Sequence, residues 1–220
     1  MSDLTPTIMP LGDAALLVRY ATRLDDAANR AAIDFAHRLG ANPPAGTLEI
    51  VPNLVSVLVR YDPAIAGFAQ LAGELRLALG APTSVNATAS TRRTKISIRF
   101  GGDAGSDLKE VADTLGLSVA KFIAAHNAKP LRVLATGFAP GFVYCGMHDL
   151  ALHVPRRHDV RPKVPAGTIL FAAGQTAITA TPIPTGWHVI GSTDFRNFDA
   201  TSEPPTKLHA GDEIVFEEAH

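Results

Sequence analysis

The feature that most constrains this chain is a change of rhythm partway along it. From residue 130 onward the sequence breaks into short β-like runs, LRVLATGF, GTILFAA, TAITAT, WHVIGS and EIVFEE, separated by Gly and Pro. Many short strands with frequent turn punctuation point to a sandwich or a barrel. The first part reads differently. Leu24, Ala28, Ala31, Phe35 and Leu39 recur at three- and four-residue steps, so they share one helical face. Asp25 and Asp26 suit its first turn, where the helix dipole favours negative charge, and Gly40 suits its stop. TLEIV (47–51) and VSVLVRY (55–61) read as strands, and AALLVRY ahead of the helix as another. Ile65, Phe68, Ala72, Leu75 and Leu79 line a second helix ended by Gly80 and Pro82.

Residues 81–94, APTSVNATASTRRT, have few large apolar side chains and read as a linker. The expected organisation is α+β: a small N-terminal α/β domain over residues 1–84, then a β-rich domain over 85–220. The second opens with an alternating strand (Ile96, Ile98, Phe100). Two short helices follow, one marked by Leu108, Val111, Ala112 and Leu115, the other capped by Ser118 and carrying Val119, Phe122, Ile123 and His126. Apolar residues make up 46% of the chain, enough for a core. A net charge of −1 gives no general attraction to nucleic acid or to an anionic membrane. No run of about 18 apolar residues and no signal-peptide pattern is visible, so a cytoplasmic protein is expected.

Familiar catalytic motifs are missing. The sequence holds no G-x-G-x-x-G, no phosphate-binding G-x-x-x-x-G-K-[ST], no H-E-x-x-H and no G-x-S-x-G. A lone Cys145 excludes an internal disulfide and a Cys-rich zinc site, and a single cysteine without an evident partner is more often inert than nucleophilic. His148, His153 and His158 are spaced by five in a Pro-broken stretch, which does not put them on one face, so no metal site is expected. The tract HVPRRHDVRPK (153–163) gathers Arg156, Arg157, Arg161 and Lys163, and guanidinium groups hold carboxylate or phosphate bidentately. A solvated loop is the plainer interpretation of such a run. His126 ends the apolar stripe of its helix, which suits either an acid/base group near neutral pH or a hydrogen-bonded core histidine. Three Gly-bearing segments, GFAPGFVYCG (137–146), AGQT (173–176) and GWHVIG (186–191), supply aromatic, amide, hydroxyl and indole groups, a kit for orienting a polar ligand on apolar walls.

Taken in order, PLGDAALLVRY, EIVPNLVSVLVRYDP, DLKEVADTLGLS, IAAHNA, GFAPGFVYCGM, VPRRHDVRPKVPAGTI, AGQTAI and GWHVIGST resemble the family of allophanate hydrolase subunit 1, KipI-like proteins and the B-type subunit of the ATP-dependent 5-oxoprolinase. The resemblance covers essentially the whole chain. It implies a cyclophilin-like β-barrel behind the small α/β domain. It also implies work in a complex that opens the 5-oxoproline lactam to L-glutamate. The partners would be a homologous larger protein (the C-type, or allophanate hydrolase subunit 2 type) and an A-type, lactam-utilisation protein. ATP would be used by the complex, with no site identifiable in this chain. The alternatives it carries are half of a carboxyltransferase or allophanate-hydrolase-type complex, and a KipI-like inhibitor of a sensor histidine kinase. Carried over residue by residue, it points to Arg157, Arg161, Gln175, Thr176 and Trp187 as pocket groups, with Phe138 and Tyr144 as their wall and His126 as the acid/base candidate. The chain departs from the family at Val143 in the aromatic turn, at Ala173 where Gly is frequent, and at Ser192 in place of an Arg that would offer an anion contact.

Overall fold

The computed structural model describes residues 5–81 and 92–219. The chain divides into two compact units, Met1–Ser90 and Thr91–His220. Residues 82–91, the centre of the expected linker and the place of the expected 84/85 boundary, lie outside the described residues.

The first unit runs β1 (Thr7–Pro10), β2 (Ala15–Arg19), α1 (Asp26–Ala41), β3 (Thr47–Pro52), β4 (Ser56–Tyr61) and α2 (Phe68–Gly80). Its sheet has the order β1-β2-β4-β3. Strand alternation puts Leu16 and Val18 of β2 and Val57, Val59 and Tyr61 of β4 on one face, where they pack with Phe35 and Leu39 of α1 and Leu71 and Leu75 of α2. The Asp25 carboxylate accepts from Ala28 N at 2.8 Å and caps α1. Two expectations shift. Gly40 does not stop α1, which continues through Ala41 to a cap at Asn42. Ile65 is exposed and precedes α2. Asp62 takes Ala64 N on its side chain and Ile65 N on its carbonyl, and this turn occupies the residues before the helix begins. The short strand β1 has no alternation long enough to be read from sequence.

The second unit contains β5 (Arg93–Phe100), α3 (Leu108–Thr114), α4 (Val119–His126), β6 (Leu131–Thr136), β7 (Val143–Gly146), β8 (Arg161–Val164), β9 (Thr168–Ala172), β10 (Gln175–Ile178), β11 (Ile183–Thr185), β12 (His188–Ser192) and β13 (Glu213–Glu218). Seven of these strands close a barrel in the order β10-β7-β6-β13-β5-β12-β9, and β8 pairs with β11 in a separate two-stranded sheet. Alternation divides the barrel's side chains. Ile98, Val143, Cys145, Ile169, Phe171, Ile178 and Ile190 join one core with Leu108 and Val111 of α3 and Phe122 of α4. Their strand neighbours Leu170, Ala172, Ala177 and Val189 join a second cluster with Phe142, Trp187, Val164 of β8 and Ile183 of β11. The candidate cavity described below lies beside this second cluster. Among the described residues no helix is long and apolar enough to cross a membrane.

Candidate functional site

The turn between β6 and β7 builds one wall. Gly137 N donates to Phe142 O at 3.0 Å, and Phe142 N donates to Ala139 O at 3.0 Å. Gly141 sits at φ +69, and a Cβ there would stand 2.4 Å from Phe198 Cβ, so the turn needs a glycine. Phe138 adopts φ 76, a conformation that costs a side-chain-bearing residue roughly 1–2 kcal/mol. Its side chain stays 73% exposed. From it a ladder of edge-on aromatic contacts runs inward: Phe138–Phe142 at 5.6 Å between centroids, Phe142–Tyr144 at 4.7 Å and Tyr144–Trp187 at 6.1 Å.

Facing this ladder is the segment that carries the paired arginines. Arg157 N donates to Gly186 O at 2.8 Å, which pins the segment beside the β11–β12 connection. The Arg156 guanidinium lies over the Trp187 ring, 5.6 Å from its centroid. Phe138, Phe142, Tyr144, Arg156, Arg157 and Trp187, with parts of the β11–β12 connection, enclose a cavity of about 360 Å³. Burial pushes the Tyr144 hydroxyl above its ordinary value against the opposing charge of Arg156, so the phenol stays protonated and can donate.

Arg157 is the most informative group. Its Nη1 lies 3.2 Å from Asp107 Oδ1 and 3.8 Å from Glu110 Oε2. Its Nε is buried and has no hydrogen-bond partner. A buried donor without an acceptor is costly, and the Arg157 guanidinium, which lines the cavity, is a planar fork that a carboxylate can meet. The cavity thus combines flat apolar walls with cationic donors, an arrangement that holds a small anionic ligand with a planar body.

Phe138, Tyr144, Arg157 and Trp187 therefore meet at one cavity, while the other four residues expected at the site do not line it. Arg161 makes a two-pronged ion pair with Asp107, its Nη2 2.7 Å from Oδ1 and its Nη1 on Oδ2. Gln175 and Thr176 belong to β10, directly after the Ala173–Gly174 turn, whose two residues have φ 51 and φ 70. Gln175 is buried with its Oε1 unpartnered.

Thr176 and His126 are fully buried in a hydrogen-bonded cluster. His126 Nε2 and His148 Nε2 each lie 2.8 Å from Thr176 Oγ1. His126 Nδ1 lies 2.7 Å from Asn127 Oδ1, which fixes it as the protonated nitrogen. The Thr176 hydroxyl then donates to His126 Nε2 and accepts from His148 Nε2–H, so both rings are neutral. Burial lowers His126 to about 4, against a small upward pull from Asn127. Burial, followed by the charges of His126 and Lys129, lowers His148 to about 2. Cys145, the register partner of Thr176, is buried too, and burial pushes its thiol up, away from the nucleophilic thiolate. Among the described residues no group of three or more His, Cys, Asp or Glu is placed to hold a metal ion.

Sequence reasoning misses Asp107. It stands at the start of α3, yet its side chain makes no cap hydrogen bond there and reaches Arg161, 54 residues on. No local signal marks that reach. His148, which the sequence marks only by its five-residue spacing from His153, is the third member of the His126–Thr176 cluster.

A family described as "Carboxyltransferase domain, subdomain C and D" matches residues 6–208. The chain is similar to the 5-oxoprolinase B subunit of Bacillus subtilis (strain 168), 30% identical over 219 residues, covering 95% of this chain and 91% of that protein. It is also similar to the 5-oxoprolinase B subunit of Escherichia coli O157:H7, 30% identical over 208 residues, covering 94% and 93%. Among solved structures, TTHA0988 superposes with a TM-score of 0.80 at 34% identity over 94% of this chain, which spans 40% of that one. The Kluyveromyces lactis urea carboxylase superposes with a TM-score of 0.81 at 16% identity over 100% of this chain and 22% of that one, a likeness of fold.

Proposed function

Because this chain belongs to the carboxyltransferase subdomain C and D family, we propose that it serves as the B-type subunit of an ATP-dependent 5-oxoprolinase, a complex that opens the 5-oxoproline lactam to L-glutamate. The observation that carries this reading is the end-to-end match with 5-oxoprolinase B subunits from two bacteria. The cavity is consistent with it, because 5-oxoproline is a flat ring bearing one carboxylate. Trp187 and Tyr144 offer the ring a flat apolar surface, and the Arg157 guanidinium, which lines the same cavity, offers the carboxylate a charged donor.

Opening the lactam breaks its ring C–N bond. Water supplies the oxygen of the new carboxylate, and the nitrogen leaves as an amine that takes up a proton. This chain's part is to bind and orient: an aromatic wall on one side of the ring, guanidinium groups at its carboxylate and a protonated Tyr144 hydroxyl nearby. Its groups do not fit ATP. No phosphate-binding loop is present in the sequence, and Arg161 is committed to Asp107. We therefore assign ATP to a partner, the A-type lactam-utilisation protein or the larger C-type one, and expect this chain to be inactive alone.

The test is reconstitution with the A-type and C-type partners. ATP-dependent release of glutamate from 5-oxoproline should collapse when this chain is left out. Undiminished release in its absence would overturn the assignment.

A further inference from the structure

Asp107 is 3% exposed, and the closest partners of its carboxylate lie far along the chain. Val189 N donates to Oδ2 at 2.8 Å, Arg161 grips both oxygens, and Arg157 Nη1 stands 3.2 Å from Oδ1. The one local contact, from the neighbouring Ser106 Oγ, is long at 3.4 Å. Val189 is two residues from Trp187, and Arg157 and Trp187 both line the cavity. One carboxylate is thus bonded to the strand beside one wall and to the cation of the other. Arg161 and the Val189 amide already provide a buried carboxylate with a bidentate ion pair and a backbone donor. The further contact engages a cavity cation.

We propose that Asp107 is the positioning residue of this cavity: by holding Arg157 Nη1 it sets the guanidinium at the cavity wall, where a ligand carboxylate can meet it. The inference rests on reading the cavity as a small-carboxylate site. Asp107 acts on charge as well as on position. It balances Arg161 and draws on Arg157, leaving Arg156 on Trp187 as a cavity cation with no carboxylate partner among the described residues. A cavity so balanced suits one carboxylate better than a phosphate dianion. The Asp107 carboxylate is ionised at neutral pH. Burial pushes its pKa up, but the Arg161 hydrogen bond, the Val189 amide and the charges of Arg161 and Arg157 outweigh burial and hold it below the ordinary range.

The test uses Asp107→Asn in the reconstituted complex and in the isolated ¹⁵N-labelled chain. KM for 5-oxoproline should rise about tenfold or more, with kcat within about twofold. The double variant Asp107→Asn/Arg157→Ala should bind no worse than Arg157→Ala alone, because Asp107 acts through Arg157. In the isolated chain, the Arg157 Nε–H resonance, assigned by its loss in Arg157→Lys, should exchange slowly in the wild type and broaden in Asp107→Asn. Asp107→Glu, which keeps the charge and displaces it by one methylene, should fall between the two. If Asp107→Asn does not fold, Asp107→Glu carries the test, and wild-type values in both readouts would sink the proposal. An unchanged KM in an active complex overturns the role of Asp107 and leaves the proposed function standing. A wild-type complex that cannot open 5-oxoproline overturns the function, and the Arg157 resonance then decides the role of Asp107: unaltered in Asp107→Asn, the role is refuted; broadened, it is upheld.

Discussion

His126 and His148 lie tilted against each other inside the barrel with ring centroids 4.8 Å apart, and both are held to the one hydroxyl of Thr176. Neither ring can take a proton without placing a buried charge against its neighbour. In the unfolded chain each histidine protonates near 6.5, whereas folding depresses His126 to about 4 and His148 to about 2. Below about pH 6.5 the unfolded state therefore binds protons that the folded state refuses. Stability is full above that pH and drains as the pH falls toward the folded values. By pH 5 the loss is on the order of 2 kcal/mol for each histidine. Melting curves at pH 7 and pH 5 check this, and His148→Gln should flatten the slope.

Thr176→Val removes the hydroxyl and leaves two imidazole nitrogens facing a methyl group. A cost of about 2–3 kcal/mol is expected from the lost hydrogen bonds and unpaired groups. Thr176→Ser should retain most of the stability. Denaturant titration of the three proteins measures the difference.

Phe138 separates function from stability. It holds a left-handed backbone while exposing most of its ring. Phe138→Gly relieves that strain, so the melting temperature should not fall, while ligand affinity should drop with the lost wall. Trp187 is the sole tryptophan and lines the same cavity, so its fluorescence during titration with 5-oxoproline measures the expected loss of affinity in both proteins.

Gly141→Ala should damage the turn outright. The new methyl group would meet Phe198 and Ala180 at 2.4 and 2.8 Å, on a backbone at φ +69. A loss of at least about 2 kcal/mol is expected, visible as a lowered midpoint in urea.

What sequence alone reveals here follows the range of the interactions involved. The helix of Phe35 and Leu39, the strand of Val57 and Val59 and the Ser118 cap are local patterns, and they stand where spacing puts them. The cavity wall is legible because Phe138, Phe142 and Tyr144 are close in sequence and Trp187 is unique. The partner of Arg161 is not legible. Asp107 lies 54 residues away, and only the barrel's closure brings the two together. For the same reason Thr176 reads as a pocket hydroxyl, although β10 turns its side chain toward His126, 50 residues distant, and away from the cavity.

The parallel pairing of β13 with β5 sets Glu213 beside Arg93, 120 residues apart in the chain. Such a seam makes folding slow as well as cooperative. The entropy of a very long loop is lost before the first of these backbone bonds forms, and a chain dominated by such distant pairings folds in milliseconds to seconds. Without β13 the strands β5 and β6 would each present an unpaired edge, a template for pairing with another chain, so the closing strand also guards the barrel against aggregation.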